Sequence, residues 1–474
     1  MRTNIFWVLI LSTFFSACSQ DFLMREPTES INDGDTFERY YSAKAALIGV
    51  YDLLSAPTFD GLYLPITNDI IGEDVMVNTV NNWNWFVPIY QLNTLPNHTY
   101  VDYPWHQGYR VIHAANMVIT NVGNIPDATN DQKAQMEAEA RLLRAYAHLQ
   151  LVQLFAPAYH VDPQAESIML LDRVLQWSEE PMPRASLSDV YEFLLQDIQV
   201  AIDLFDRVEQ EDQLQDPAYM SQRAGYALLA RVNLNMHRWE EAFDAANMAV
   251  EDMELTDGID LLRGFNFRNA ESIFTIAYTP QDNNVYMTIP SFYYPVYGYS
   301  SMRANEDFVN MFASSDLRAN QFYMEEEIDP DRHLIMKFHH NAVVGNAERI
   351  PMRASEMVLI QAEAAAEMGN DRKAQDALFR IQQRADPSAF PPTATGQELI
   401  DLILIERRKE LFGEGFRMSD IKRRSAPFVR GGNHWVKFDF SQQDDDYYRM
   451  TLPIPQSEID ANSNISESNQ NQGY

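Results

Sequence analysis

Two stretches of the chain carry the same small-residue signature, and it restricts the fold more than any other feature. Ala230 and Ala242 stand twelve residues apart across a turn, with Ala245 just beyond. Ala362 and Ala374 repeat that spacing, and Ala377 answers Ala245. Small side chains at such places let two antiparallel helices approach closely. The copies lie 132 residues apart, so a simple tandem solenoid is excluded. The hairpins must be gathered from distant parts of the chain into one helical body.

The rest of the periodicity agrees. Asp35-Thr36-Phe37-Glu38 reads as a capping box that opens a helix through Leu54. Helical spacing recurs at 107–122, 132–155, 188–205, 221–236, 239–253 and 398–412. Glu271 to Tyr278 reads as a short strand. Residues 57–105 show no helical period and hold five prolines, many Asn and nine aromatics, which predicts a long irregular region. Residues 290–299 are loop-like and dense in tyrosine, and the end from Leu452 to Tyr474 is polar and turn-rich. The expected fold is mainly α, a TPR-like helical-hairpin scaffold with a loop-rich insert half carrying a few short strands.

Charge excludes one class of partner. The 474 residues hold 68 acidic against 36 basic side chains, a formal net charge of −32, and such a surface repels phosphate. Nucleic acid is therefore not an expected ligand. Only seven of the basic residues are Lys. That balance is expected of a protein kept soluble in concentrated salt.

Cys18 is the single cysteine, so no disulfide or CxxC pair can form within the chain. Arg2, an eleven-residue largely apolar run from Ile5 to Phe15, and Ser16-Ala17 precede it. This is the layout of a secretory signal, too short to span a bilayer as a helix. With the cysteine at the cleavage point, residues 1–17 resemble a bacterial lipoprotein signal, and Cys18 becomes the acylated amino terminus. Phe15 departs from the usual Leu of that pattern. Residues 18–474 are then expected to form one domain, its loop-rich ligand-binding region drawn mainly from 57–105 and 263–346.

Motifs for catalysis are missing. Gly413-Glu414-Gly415 follows a helix and lacks the third glycine of a dinucleotide site, and Met302 stands where a nucleophile elbow after Ser300 needs Gly. Adjacent His339 and His340 have no zinc-ligand spacing. The chain is expected not to be an enzyme. A glycan hydrolase needs only two suitably spaced carboxylates, so that alternative ranks lower but stays open.

Several segments converge on one family. Glu406-Arg-Arg-Lys-Glu-Leu-Phe-Gly-Glu-Gly-Phe-Arg-Met-Ser-Asp-Ile-Lys-Arg423 resembles the carboxy-terminal block of the SusD/RagB nutrient-uptake lipoproteins. Leu452 to Asn462, Gly473-Tyr474, Glu139 to Ala145, Asp197, and Arg353 to Glu363 fall in the family's order. Gly413 and Ser463 depart from its pattern. Charges in the Glu406 block stand at spacings that permit Arg–carboxylate forks, with Leu411, Phe412 and Phe416 turned inward. Their expected role is to lock the terminal segment onto the helical body.

The resemblance implies a lipid-anchored protein on the outer face of the cell outer membrane. There it would capture an oligosaccharide, or a peptide, as the lid of a SusC-like TonB-dependent transporter. No cofactor is required. A structural Ca2+ is carried by some relatives, but no spacing in this chain fixes its ligands. A scaffold that binds only protein has little need for a lipoprotein signal and aromatic loops.

Sugars present flat C–H faces and a rim of hydroxyls, which rigid aromatic rings beside amides suit. Trp83, Asn84 and Trp85 offer that mixture on an expected loop, and Tyr293, Tyr294, Tyr297 and Tyr299 offer it again. Packing beneath long loops is the competing use of these rings. His98, Asp102 and Arg303 are candidate polar contacts, and Trp105 and Trp239 are assigned to packing.

Overall fold

The computed structural model describes residues 36–176, 178–209, 214–324, 333–340 and 343–474. Cys18, the signal segment and Asp35 lie outside them. The longer helices are α1 (Tyr40–Ser55), α2 (Tyr63–Ile71), α3 (Thr99–Asn121), α4 (Asn130–Phe155), α5 (Leu187–Phe205), α6 (Gln222–Asn235), α7 (Trp239–Ala249), α8 (Ala354–Glu367), α9 (Asp371–Ala385), α10 (Gly396–Glu410) and α11 (Arg417–Arg423). The fold is mainly α and TPR-like, as the spacing predicts.

Neighbouring helices pack in series: α1 on α3, α3 on α4, α4 on α5, α5 on α6 and α6 on α7. The series crosses the intervening segment without a break. Helix α7 packs on α8, which forms the second hairpin with α9. Thus the two Ala-rich hairpins lie against each other, although 132 residues separate them in the chain. Ala230, Ala242, Ala245, Ala362, Ala374 and Ala377 are all buried at the close approaches.

Local chemistry sets several helix ends. Thr129 and Gln132 form a reciprocal capping box at α4, and the Ser186 and Ser221 side chains cap α5 and α6. The expected capping box rests on Asp35, outside the described residues, and α1 itself starts after Arg39, four residues further on. Its N-cap is Arg39, without a side-chain bond, and the first helical N–H, of Tyr40, donates to Asp127 Oδ1 at 2.6 Å. A distant carboxylate replaces the local cap.

The region 57–105 is less irregular than its composition predicts. Helix α2 lies there, and α3 begins at Thr99, with Pro104 accommodated inside it. All nine residues of α2 are buried, including Asn68 and Asp69. A helix enclosed on every side needs no polar face, so it leaves no 3.6-residue pattern to read.

Short strands join the two loop-rich regions. Strands β1 (Val75–Val77), β2 (Met302–Ala304), β3 (Phe322–Met324) and β4 (His333–Ile335) form a sheet in the order β1-β2-β4-β3. Strand β1 runs antiparallel to β2 with Val75 opposite Ala304 and Val77 opposite Met302. The Asn78 N–H donates to Ser301 O at 2.7 Å and extends the pairing. Elsewhere Ser272–Ile276, within the expected strand, pairs with Arg349–Arg353 directly ahead of α8.

The Glu406 block is two helices and a turn. Gly413 and Gly415 break it at φ of +76° and +86°, in the left-handed region. A Cβ on Gly415 would stand 2.6 Å from Pro65 Cα, so α2 can approach only a glycine there. Around this turn Arg353 reaches Glu271, Glu410 and Glu414 at 2.7–3.1 Å. Arg384 holds Glu271 and Glu410, Lys337 holds Glu414, and Arg318 holds Asp316, Glu406 and Glu410. With Lys409 on Asp316, these are five cations and five carboxylates. Such a network can be buried because its charges balance, although Arg384 Nε and Glu406 Oε1 are left without a hydrogen bond among the described residues.

The other residues that carry the family resemblance do similar work. Arg144 grips Asp197 through two bonds of 2.8 and 2.7 Å, and Arg231 grips Glu356 at 2.8 and 2.6 Å. Arg407 and Arg423 share Asp420, and Arg423 also holds Glu363. These charges lock the scaffold.

Candidate functional site

The path to the site starts where α2 ends. Buried Arg430 donates through Nη2 to the carbonyls of Ile70, Ile71 and Gly72 at 2.8–3.0 Å, meeting the free acceptors at the helix C-terminus. Burial lowers its pKa to about 10. Arg417 and Arg408 then clasp Glu73 and Asp74 immediately before β1. Glu73 is held at about 2, because these guanidiniums outweigh its burial cost. His434, pushed down to about 3 chiefly by burial, is neutral. It donates from Nε2 to Glu73 O at 2.9 Å and accepts the Tyr90 hydroxyl proton at Nδ1, 2.7 Å away. Trp435 Nε1 donates to Val77 O at 2.7 Å. Strand β1 is therefore fixed at both ends by the carboxy-terminal block.

The chain leaves β1 into a tight, left-handed loop. Asn81, Trp83, Asn84 and Phe86 have φ between +55° and +60°. Asn tolerates this region, but Trp and Phe do so at a cost of ~1–2 kcal/mol each. Surrounding bonds hold the loop. Asn82 Nδ2 donates to Asn78 O and its Oδ1 accepts from Asn84 N, both at 2.8 Å, while Phe86 N donates to the Tyr100 hydroxyl at 2.8 Å.

The result is an aromatic surface assembled from two distant loops. Trp83 is 66 % exposed. Trp85 is half-buried, its ring centre 5.6 Å from Tyr299 and 5.7 Å from Phe292. Tyr299 reaches Tyr286 at 6.3 Å, and Tyr286 is about half exposed. Underneath, Phe86 packs on Tyr63, Tyr100 and Phe292 and backs the outer rings. Gly298 permits the second loop to close, since a Cβ there would meet Ser291 O at 2.5 Å.

Each sequence candidate has a definite place. Trp83 and Asn84 are exposed, Trp85 is partly so, and Tyr297 is 73 % exposed with φ +62°. Tyr294 is half-buried, edge-on to His339. Tyr293 offers no face to solvent. It is buried, stacked on Phe338, and its hydroxyl donates to Asp69 Oδ2 at 3.2 Å. The reason is the short helix Ile289–Tyr293, which turns this ring inward while the chain beyond it turns out. Arg303 is likewise buried, donating to the Ser300 and Met302 carbonyls. Asp102 faces the tail, accepting from Ser457, and His98 Nδ1 accepts from Leu95 N. Trp105 and Trp239 pack, Trp105 fully buried with Nε1 on Glu458.

Tyr286 was not among the candidates, nor were exposed Val80, Val285 and Val296 around the rings. Tyr286 stands alone in a polar stretch, and its only sequence signal is the Asn-Asn turn before it. Among the described residues no group of His, Cys, Asp and Glu is arranged to hold a metal ion. Nor is any helix among them long and apolar enough to cross a membrane.

The fold and this surface define a class: a helical-hairpin body that presents aromatic rings on inserted loops. Two family models cover most of the chain. "SusD family" matches residues 263–474, and "Starch-binding associating with outer membrane" matches residues 46–234. The chain belongs to the SusD/RagB family. It is 24% identical to SusD-like protein P2 of Formosa agariphila, over 99% of both chains. A SusD superfamily protein of Bacteroides vulgatus superposes with a TM-score of 0.82 at 23% identity, covering 92% of this chain and all of that one. Surface glycan-binding protein A of Bacteroides thetaiotaomicron, solved with laminarihexaose, gives 0.71 at 19% identity over 91% of this chain and 99% of its own.

Proposed function

We propose that this chain is a non-catalytic, surface-exposed lipoprotein that captures an extracellular oligosaccharide for nutrient uptake. Cys18 would carry its acyl anchor in the outer membrane, and a SusC-like TonB-dependent transporter would receive the ligand. The observation that carries the reading is the cluster of Trp85, Tyr286 and Tyr299, drawn from two loops and left partly exposed, with Trp83 and Tyr297 exposed on the same loops. Water contact with so many large rings is costly unless a ligand covers them. Flat, rigid rings edged by Asn81 and Asn84 suit the C–H faces and hydroxyls of a sugar chain. The family description naming starch and the laminarihexaose-bound neighbour support the same ligand class.

Calorimetric titration with a panel of neutral oligosaccharides, laminarihexaose and maltohexaose included, tests this. Trp83→Ala/Trp85→Ala should weaken the best ligand at least tenfold. Equal affinity in parent and variant would remove the loops from the site, and release of sugar products by the parent would make it an enzyme.

A further inference from the structure

A second concavity lies away from the aromatic loops. The first three turns of α1 splay from the start of α4 and leave a cleft of about 250 Å3. That space is many times what one water needs, ~10–15 Å3, and approaches the ~300 Å3 at which small-ligand pockets begin. Tyr40, Lys44 and Tyr51 line it from one face of α1, and Gln132, Gln135 and Glu139 line it from one face of α4. Tyr219 closes the inner end, edge-on to Tyr51 at 5.8 Å.

Glu139 sets this cleft apart. It is 2% exposed, and Tyr51 donates to Oε2 at 2.6 Å while Gln135 Nε2 donates to Oε1 at 3.2 Å. Buried Glu271, Glu363, Glu410, Glu414 and Asp420 all hold Arg or Lys in ion pairs. Glu139 has no ion pair among the described residues, and each oxygen keeps capacity for another donor. Burial raises its pKa to about 7, so near neutrality it is available as donor and as acceptor.

The ligand class follows from the walls. Asp131 and Glu139 discourage an anion, while the Lys44 ammonium, 6.0 Å from the Tyr40 ring centre, discourages a cation. Rings, amides, a carboxyl and the aliphatic Leu47, Ile48, Met136 and Leu214 remain, an apolar wall with a few polar groups that suits the C–H faces and hydroxyls of a neutral sugar. The far end of α1 locates the cleft: the Ser55 carbonyl accepts from Tyr278 and Asn284 of the loop that carries Tyr286. Tyr40, at the outer end of the cleft, stands fifteen residues before Ser55, ~22 Å along the helix at 1.5 Å per residue, and Tyr51, at its inner end, stands four residues before it, ~6 Å.

We propose that the α1–α4 cleft is a second carbohydrate pocket that takes one neutral sugar ring, with Tyr40 and Tyr219 against its C–H faces and Gln135 and Glu139 on its hydroxyls. This does not rest on the function assigned to the loops. Saturation-transfer NMR and titration with the methyl glycosides of glucose, galactose, mannose and N-acetylglucosamine test it on the full mature chain. At least one glycoside should bind, at millimolar Kd, and keep its affinity in Trp83→Ala/Trp85→Ala. Tyr219→Ala, at a half-exposed position, and Gln135→Ala should each weaken it fivefold or more, with circular dichroism and melting curves showing that the variants fold. Should Tyr219→Ala fail to fold, Gln135→Ala and Glu139→Gln decide. Binding by no glycoside in the panel overturns the pocket, as does binding that the loop variant abolishes and the cleft variants leave intact. Loss of oligosaccharide binding in the loop variant reports separately on the loops.

Discussion

Around Glu410 a balanced set of charges is withdrawn from water, whereas around Trp85 large aromatic rings are left in contact with it. Each region reverses the ordinary placement of its residue type. The charged region does so at no net charge, since each carboxylate meets a guanidinium or ammonium, and it binds α8, α9, α10 and the 263–346 region into one unit. The aromatic region has no internal compensation. Its rings rest on a fixed floor, and the loop beneath stores left-handed backbone strain. Charge in this molecule reports structure, and exposed aromaticity reports the site.

Four experiments test that contrast. The largest effect belongs to the charged region. Arg353→Met removes the cation shared by Glu271, Glu410 and Glu414, leaves the buried network one charge out of balance, and should cost about 3–5 kcal/mol in urea unfolding. A loss below ~1 kcal/mol would mean the network is dispensable. Removing the loop tryptophans should instead cost about 2 kcal/mol of ligand binding for the dominant ring, roughly 30-fold in Kd, while the melting temperature barely moves. A large fall in stability would reassign Trp83 and Trp85 to the core.

A paired comparison of tyrosines comes next. Tyr293→Phe deletes a buried bond to Asp69 and should lower stability by about 1 kcal/mol with unchanged affinity. Tyr297→Ala, on an exposed ring, should do the opposite. Identical behaviour of the two would erase the distinction drawn between them.

The smallest effect is a slope. Burial raises Asp69 to about 8, although two bonds from Gly415 N–H at 3.1 Å and one from Tyr293 oppose it. Its unfolded value is ~3.9, so the folded state holds the proton more tightly. The resulting stability is complete below pH ~4 and is lost as pH rises through about 8. Denaturation at pH 5 and 8.5 should show a larger decline for the parent than for Asp69→Asn. The same decline in both would show that Asp69 does not titrate in this range.

Much of the scaffold was legible. The Ala spacing placed both hairpins, and the period over 132–155 placed α4, whose Thr129 cap was not read from the sequence. Helix α2 escaped notice because it is only nine residues long, holds Pro65 and buries its polar residues with the rest, and the start of α1 did because Asp127, far along the chain, meets its first N–H. The site was half legible. Trp83, Asn84, Trp85 and Tyr297 stood out by residue type, but Tyr293 has the same composition around it and lies inside. A single turn of helix decides between them, and no period in so short a segment reveals it.

By itself the sequence determined what depends on neighbours in the chain: helical periods, local caps, the small residues of the hairpins, the acidic balance and the motif that marks the family. Only the tertiary structure decided which carboxylates meet which guanidiniums, and which aromatic rings stay in water. The second outcome hangs on the pairing of β1 with β2, which joins segments more than 200 residues apart and brings Trp85 against Tyr299. Burial is a property of the assembled surroundings, and a ring or a charge carries no local mark of what will be packed over it.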